Sequence, residues 1–155
     1  MKRVLVRSVN GAFEYVMAHY YPFGLEELVE RDDTYAVISI QDTHTGGFGF
    51  EFRETPFCKG VLTLYFDDTV REVEDTVLFS REHAAQIIDF IRSHRRADTL
   101  LVHCYAGQSR SRAVAAFATR MLGGDDSRYF ETGTPNRHIY DTLVEVWQAG
   151  AGEKK

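Results

Sequence analysis

Hydrophobic positions along the chain follow two different periods. Val4 to Val9 is a first apolar stretch, broken only by polar Arg7 and Ser8, and it predicts a strand. Phe23 to Asp33 ("FGLEELVERDD") predicts a short helix, with Leu25 and Leu28 on one face and carboxylates on the other. Tyr35 to Ile40 ("YAVISI") is a continuous β-prone run, as expected of a strand covered on both faces. Gly46 and Gly47 then mark a turn, and Phe48, Phe50 and Phe52 alternate so as to share one face of a further strand. Val61 to Phe66 ("VLTLYF") predicts another strand, running straight into "DDT".

From Ser80 the period lengthens. Ala84, Ile87, Ile88 and Ile91 fall on one face of an amphipathic helix, with Ser80 as N-cap and Glu82 in the first turn. Thr99 to Cys104 ("TLLVHC") predicts a strand. Ser111 to Leu122 follows as a helix apolar on most sides, hence buried, that stops at Gly123-Gly124. A last helix starts with Thr134 as N-cap and Pro135 at the first helical position, and offers Ile139, Leu143, Val146 and Trp147 to the core. This alternation predicts one α/β domain over residues 1–150, with a central, mostly parallel sheet and helices on both faces, and a solvated tail over 151–155. In such sheets ligands bind beyond the carboxyl ends of the strands, and Cys104 falls there.

Composition narrows the function. With 155 residues the chain suffices for one core, and 44% apolar with 26% charged residues is the profile of a soluble globular protein. A net charge of −5 argues against nucleic acid or an anionic membrane surface as the main partner. Two cysteines, Cys58 and Cys104, are too few for a disulfide scaffold or a zinc cluster. Arg7 interrupts the N-terminal apolar run before it could act as a signal-peptide core, and no segment is long enough to span a membrane, so a reducing cytoplasm is the expected setting.

The segment "VHCYAGQSRS" carries the chemistry. A tight loop from Cys104 to Arg110, between strand and helix, can turn its N–H groups toward one point, where the positive end of the following helix adds to them. Gly107 permits a sharp turn, Ser109 and Ser111 can tie the loop down, and the Arg110 guanidinium matches two oxygens of a tetrahedral dianion. The same dipoles favour the thiolate of a cysteine placed there, and a thiolate facing a bound phosphorus atom is a nucleophile.

These residues resemble the signature loop of the cysteine-based protein tyrosine phosphatases, His-Cys, five residues, Arg, then Ser or Thr; the ending is most similar to the dual-specificity branch and its small bacterial members. The resemblance runs from Val61 through the helix of Ala84 to Ile91 and on to Leu122. It implies the fold of that family and roles residue by residue. Cys104 would attack phosphorus and form a phosphocysteine. Arg110 would bind phosphate and stabilise the transition state, and Ser111 would help the sulfur leave. His103 would hold the loop and tune the thiol, and the N–H groups of Tyr105, Ala106, Gly107, Gln108, Ser109 and Arg110 would line the cradle. Gln108 departs from the apolar or aromatic residue common there. In the family an aspartate at the end of the preceding strand protonates the leaving group; Asp68, followed by Thr69, fits best, with Asp67 as the fallback.

No metal or other cofactor is implied. The expected partners are phosphorylated proteins or peptides, with inorganic phosphate or another oxyanion able to fill the loop; neither nucleic acid nor membrane is expected. One or two of Tyr20, Tyr21, Phe48, Phe50, Phe52 and Tyr105 would wall the cleft. Cys58 is either a packing residue or a redox partner of Cys104. Asp42 and His44 read as loop residues. Two other functions share parts of the pattern: a rhodanese-type sulfurtransferase, which leaves Asp68 and Ser111 without roles, and a phosphoprotein-binding module without turnover.

Overall fold

The computed structural model describes residues 1–24, 31–43 and 51–153. Its elements are β1 (Arg3–Arg7), α1 (Val9–Tyr20), β2 (Tyr35–Gln41), β3 (Cys58–Tyr65), α2 (Arg81–Ser93), β4 (Thr99–His103), α3 (Arg110–Met121), α4 (Arg128–Glu131) and α5 (Arg137–Glu153). The strands form one four-stranded sheet in the order β1-β4-β2-β3, with every pair parallel. Parallel neighbours need crossovers, and the helices supply them on both faces.

Every residue of β2 and β4 is buried, because these central strands are covered from both sides. Ala36, Ile38, Leu100 and Val102 point into the larger core with α2, α3 and α5. Tyr35, Val37 and Leu101 point the other way, against Ala12, Val16 and Tyr20 of α1. Full burial of a residue such as Ile38 stabilises the fold by about 2 kcal/mol.

The helix of Ala84 to Ile91 stands where expected. Ser80 Oγ accepts from His83 N–H at 3.2 Å, His83 Nδ1 accepts from Ser80 N–H at 3.0 Å, and Glu82 lies in the first turn. This reciprocal cap is worth about 1 kcal/mol. Helix α3 is buried nearly all round, as its composition predicts, and ends before Gly123 at φ +89°.

Several boundaries differ. The first strand is Arg3–Arg7, not Val4 to Val9: Ser8 Oγ accepts from Gly11 N–H at 3.0 Å and starts α1, a helix the apolar run conceals. The third strand begins at Cys58 and stops at Tyr65, one residue short of Phe66. The last helix begins at Arg137, and its cap is Asn136, whose Oδ1 accepts from Ile139 N–H at 3.1 Å; Thr134 and Pro135 precede the helix. This helix runs to Glu153, into the stretch expected to be tail. Of the helix expected over Phe23 to Asp33, residues 25–30 lie outside the described residues; Phe23 sits in a turn and Arg31 to Asp33 are not helical. Phe48 and Phe50 also lie outside, and Phe52 is not in a strand. Among the described residues no helix is long and apolar enough to cross a membrane.

Candidate active site

The loop between β4 and α3 is anchored from outside. Val9 N–H, at the start of α1, donates to Tyr105 O at 3.0 Å. Thr134 N–H donates to Gln108 O and Asn136 N–H to Ser109 O, each at 3.2 Å. Three loop carbonyls are thus taken by α1 and by the segment that leads into α5. Gly107 has φ +77° and lies against the chain where β1 turns into α1. A Cβ there would stand 2.7 Å from both Arg7 C and Ser8 N, so no other residue fits without moving backbone.

Cys104, buried at the mouth of α3, receives the Gly107 N–H on its sulfur at 3.2 Å, and Ser111 Oγ lies 3.1 Å from the same atom. Arg110, the first residue of α3, is buried beside it. Arg110 Nη1 donates to Phe66 O at 3.0 Å and pairs with Asp42 Oδ1 at 2.8 Å. Asp42, read from the sequence as a loop residue, therefore holds the arginine of the signature. The other half of the pair considered there, His44, lies outside the described residues.

His103 is fully buried in a polar chain that crosses the sheet register. Gln41 Nε2 donates to Ser39 Oγ at 2.8 Å, Ser39 Oγ lies 2.7 Å from His103 Nε2, and His103 Nδ1 lies 3.2 Å from Cys104 O. With Gln41 donating, the Ser39 hydroxyl is free to donate to Nε2, which leaves the ring proton on Nδ1 for the Cys104 carbonyl. Burial lowers the His103 pKa below the ordinary value; the Cys104 carbonyl opposes this, and the Arg110 charge adds to it. Burial thus favours the neutral ring beneath Cys104. Nothing in "YAVISIQ" announces Ser39 and Gln41 except that they are polar within a buried strand.

The two aspartates after β3 have different surroundings. Asp67 is buried, accepting Thr43 Oγ1 at 2.7 and 2.8 Å and Val77 N–H at 2.7 Å, so it ties together the ends of the 67–77 loop. Asp68 is exposed and faces the cradle. Its Oδ1 accepts from Ser109 Oγ at 2.7 Å and from Asn136 Nδ2 at 2.8 Å. Asn136 also donates to Thr69 O at 3.0 Å. The structure thus brings Cys104, Arg110, Ser111, His103 and Asp68 together around one loop; Asp42, read from the sequence only as a loop residue, joins them, as do Ser39, Gln41 and Asn136, which the sequence did not single out.

Cys58 and Cys104 belong to cores on opposite faces of the sheet. Burial pushes the Cys58 thiol pKa up, and its S–H contacts Gly60 O at 3.5 Å, the setting of a packing residue. Of the aromatic candidates, Tyr20 is fully buried against Tyr35 and Phe57, and Tyr21 packs on Phe57. The Phe52 ring lies 5.5 Å from His103, and Tyr105 is 62% exposed on the rim of the loop. Among the described residues no group of three or more His, Cys, Asp or Glu is placed to hold a metal ion.

No family model and no curated protein matches the sequence. Solved structures do match the fold. The human tyrosine phosphatase-like serine/threonine/tyrosine-interacting protein has a TM-score of 0.58 at 16% identity, over 96% of this chain and 97% of that one. Human DUSP28 has 0.53 at 16%, over 97% and 95%. PTPMT1 in complex with PI(5)P has 0.55 at 13%, over 100% and 96%.

Proposed function

Because the chain has the fold of the tyrosine and dual-specificity phosphatases, we propose that it hydrolyses phosphomonoesters, phosphotyrosine in proteins foremost, through a phosphocysteine on Cys104. One observation carries the reading: a single loop gathers the Gly107 N–H and the Ser111 hydroxyl on the Cys104 sulfur and ties itself through Ser109 to the Asp68 carboxylate.

In this mechanism the dianion sits against the N–H groups from Tyr105 to Arg110, and Arg110 turns its guanidinium onto the phosphate oxygens. The Cys104 thiolate attacks phosphorus; the S–P bond forms as the bond to the leaving oxygen breaks, and protonated Asp68 gives that oxygen its proton. Water then attacks the phosphocysteine, Asp68 takes a proton from it, and the Ser111 hydroxyl donates to the departing sulfur. Cys104 returns as thiolate and inorganic phosphate leaves. No step calls on a metal or cofactor.

The loop's exposed rim, Tyr105, Ala106 and Gln108, carries no cation. A multiply phosphorylated lipid head group calls for cations there, whereas a phosphotyrosine ring is served by an aromatic such as Tyr105. That favours protein substrates over the class represented by PI(5)P, with which PTPMT1 was solved.

The test compares wild type with Cys104→Ser on an aryl phosphate and on a phosphotyrosyl peptide, with acid quenching to trap the enzyme-bound phosphate. Turnover and a trapped phosphoenzyme are expected for wild type only, with peptide binding kept in the variant. Peptide binding without turnover in wild type would establish a binding module instead, and sulfur transfer from thiosulfate would establish a sulfurtransferase.

A further inference from the structure

Strand β1 lies at one edge of the sheet and, among the described residues, pairs only with β4. In a parallel pair, alternate residues of an edge strand turn both N–H and C=O away from the neighbour. Thr99 N–H donates to Thr34 O at 3.1 Å, toward β2, so Leu100 and Val102 turn to β1 and bond Arg3, Leu5 and Arg7 there, and Val4 and Val6 carry the outward-facing groups. The Arg7 guanidinium accords with this, reaching back to Val6 O at 2.8 Å across the open side.

Two cavities of about 190 and 240 Å³ run along this side, and they share Val4 and Arg128. Their floor is apolar, with Val4, Val6 and Leu122 half-buried. Their walls are basic: Lys2, Arg3, Arg7, Arg112 and Arg128 line them, and no aspartate or glutamate does. Lys2 is paired with Asp98, and among the described residues none of the four arginines has a carboxylate at ion-pair distance; Arg112 is held by the carbonyls of Arg128, Tyr129 and Thr132, and the Arg128 charge reaches Asp125, which leaves Arg3 and Arg7 as the cations farthest from a carboxylate. On a chain of net charge −5, this concentration of cations along a strand edge is a directional feature.

We propose that the outer side of β1 binds an extended acidic peptide segment of a partner protein, which adds to the sheet as a fifth strand. The outward N–H and C=O groups of Val4 and Val6 hydrogen-bond its backbone, every second side chain of the peptide meets the apolar floor, and the intervening carboxylates, on the opposite face, meet Arg3 and Arg7. A second copy of this chain is disfavoured as occupant, because two such edges would bring their arginines together.

The probe is an end-capped peptide of alternating glutamate and valine, with a lysine–valine peptide and a proline-interrupted glutamate peptide of equal charge as controls, at low salt. The glutamate–valine peptide alone should bind by fluorescence anisotropy and should slow amide hydrogen exchange at Val4 and Val6 by about tenfold or more, leaving Leu5, already bonded within the sheet, unchanged. The double substitution Arg3→Glu with Arg7→Glu, with folding confirmed by circular dichroism, should abolish binding. Equal binding of the proline-interrupted peptide, unchanged exchange at Val4 and Val6, tighter binding of a single-stranded oligonucleotide than of the peptide, or self-association through this edge would each overturn the proposal. None of these readings depends on phosphatase turnover.

Discussion

Asn136 Nδ2 donates to Asp68 Oδ1 at 2.8 Å, while the same asparagine's Oδ1 caps α5 and its backbone N–H holds Ser109 O. One buried side chain thus fixes the proposed acid relative to the proposed cradle. Asn136→Ser keeps a cap but is too short to reach Asp68. On an aryl phosphate with a poor leaving group it is expected to lower kcat about tenfold, against a loss of 100-fold or more, as an order of magnitude, for Asp68→Ala. With an activated leaving group such as p-nitrophenol both losses should shrink. Equal losses on the two substrates would show that neither residue serves proton transfer.

Ser111 Oγ lies 3.1 Å from Cys104 Sγ, within reach of the sulfur that leaves phosphorus in the second step of the proposed mechanism. Ser111→Ala should therefore slow breakdown of the phosphoenzyme more than its formation. Rapid-quench kinetics with an aryl phosphate should show a burst of the aryl alcohol close to one equivalent of enzyme, absent or smaller in wild type. A variant that is slow from the first turnover, with no burst, would place Ser111 in formation instead.

Asp42 pairs with Arg110 at 2.8 Å, and Arg110 is nearly wholly buried. Removing the carboxylate leaves a buried cation short of a partner, which costs about 1–3 kcal/mol. A bound dianion can restore the missing negative charge. Asp42→Ala should accordingly melt below wild type in phosphate-free buffer, and inorganic phosphate should raise its melting temperature more than it raises that of wild type. Equal phosphate shifts in the two proteins would show that Asp42 does not compete for the guanidinium.

The parts of this site that the sequence discloses are those with a local rule behind them. The run "TLLVHCYAGQSRS" implies strand, turn and helix from period, glycine and charge alone, and Gly107, Cys104 and Arg110 stand where those rules put them. Ser80 and the isoleucines of α2 follow from capping and periodicity. Long-range polar partners have no such rule. Asp42 meets Arg110, and Asn136 meets Asp68, only because a parallel sheet brings the ends of β2 and β3 and the start of α5 to one edge. Ser39 and Gln41 lie in a strand whose hydrophobic pattern is equally satisfied without them. Helix α1 was legible in principle, since Val9, Ala12, Val16 and Tyr20 are its buried face and Ser8 its cap. Its first residue sits at the end of an apolar run that also reads as strand, and Gly11 weakens the helical signal.

His103 supplies a pH dependence of stability with a definite sign. Burial lowers its folded-state pKa below the 6.5 typical of the unfolded chain, so the unfolded state binds the additional proton. The stabilisation from the neutral ring is complete above about pH 6.5 and is lost as pH falls from there toward the depressed folded value. His83, also lowered by burial, acts in the same direction. Melting temperature should therefore drop between about pH 7.5 and about 5.5, a range above that in which carboxylates such as Asp33, held down to about 2, take up protons. His103→Asn loses stability at every pH by breaking the chain through Ser39, but its decline over this range should be shallower, with the slope that remains belonging to His83. A decline as steep in His103→Asn as in wild type would show that the ring is not held neutral beneath Cys104.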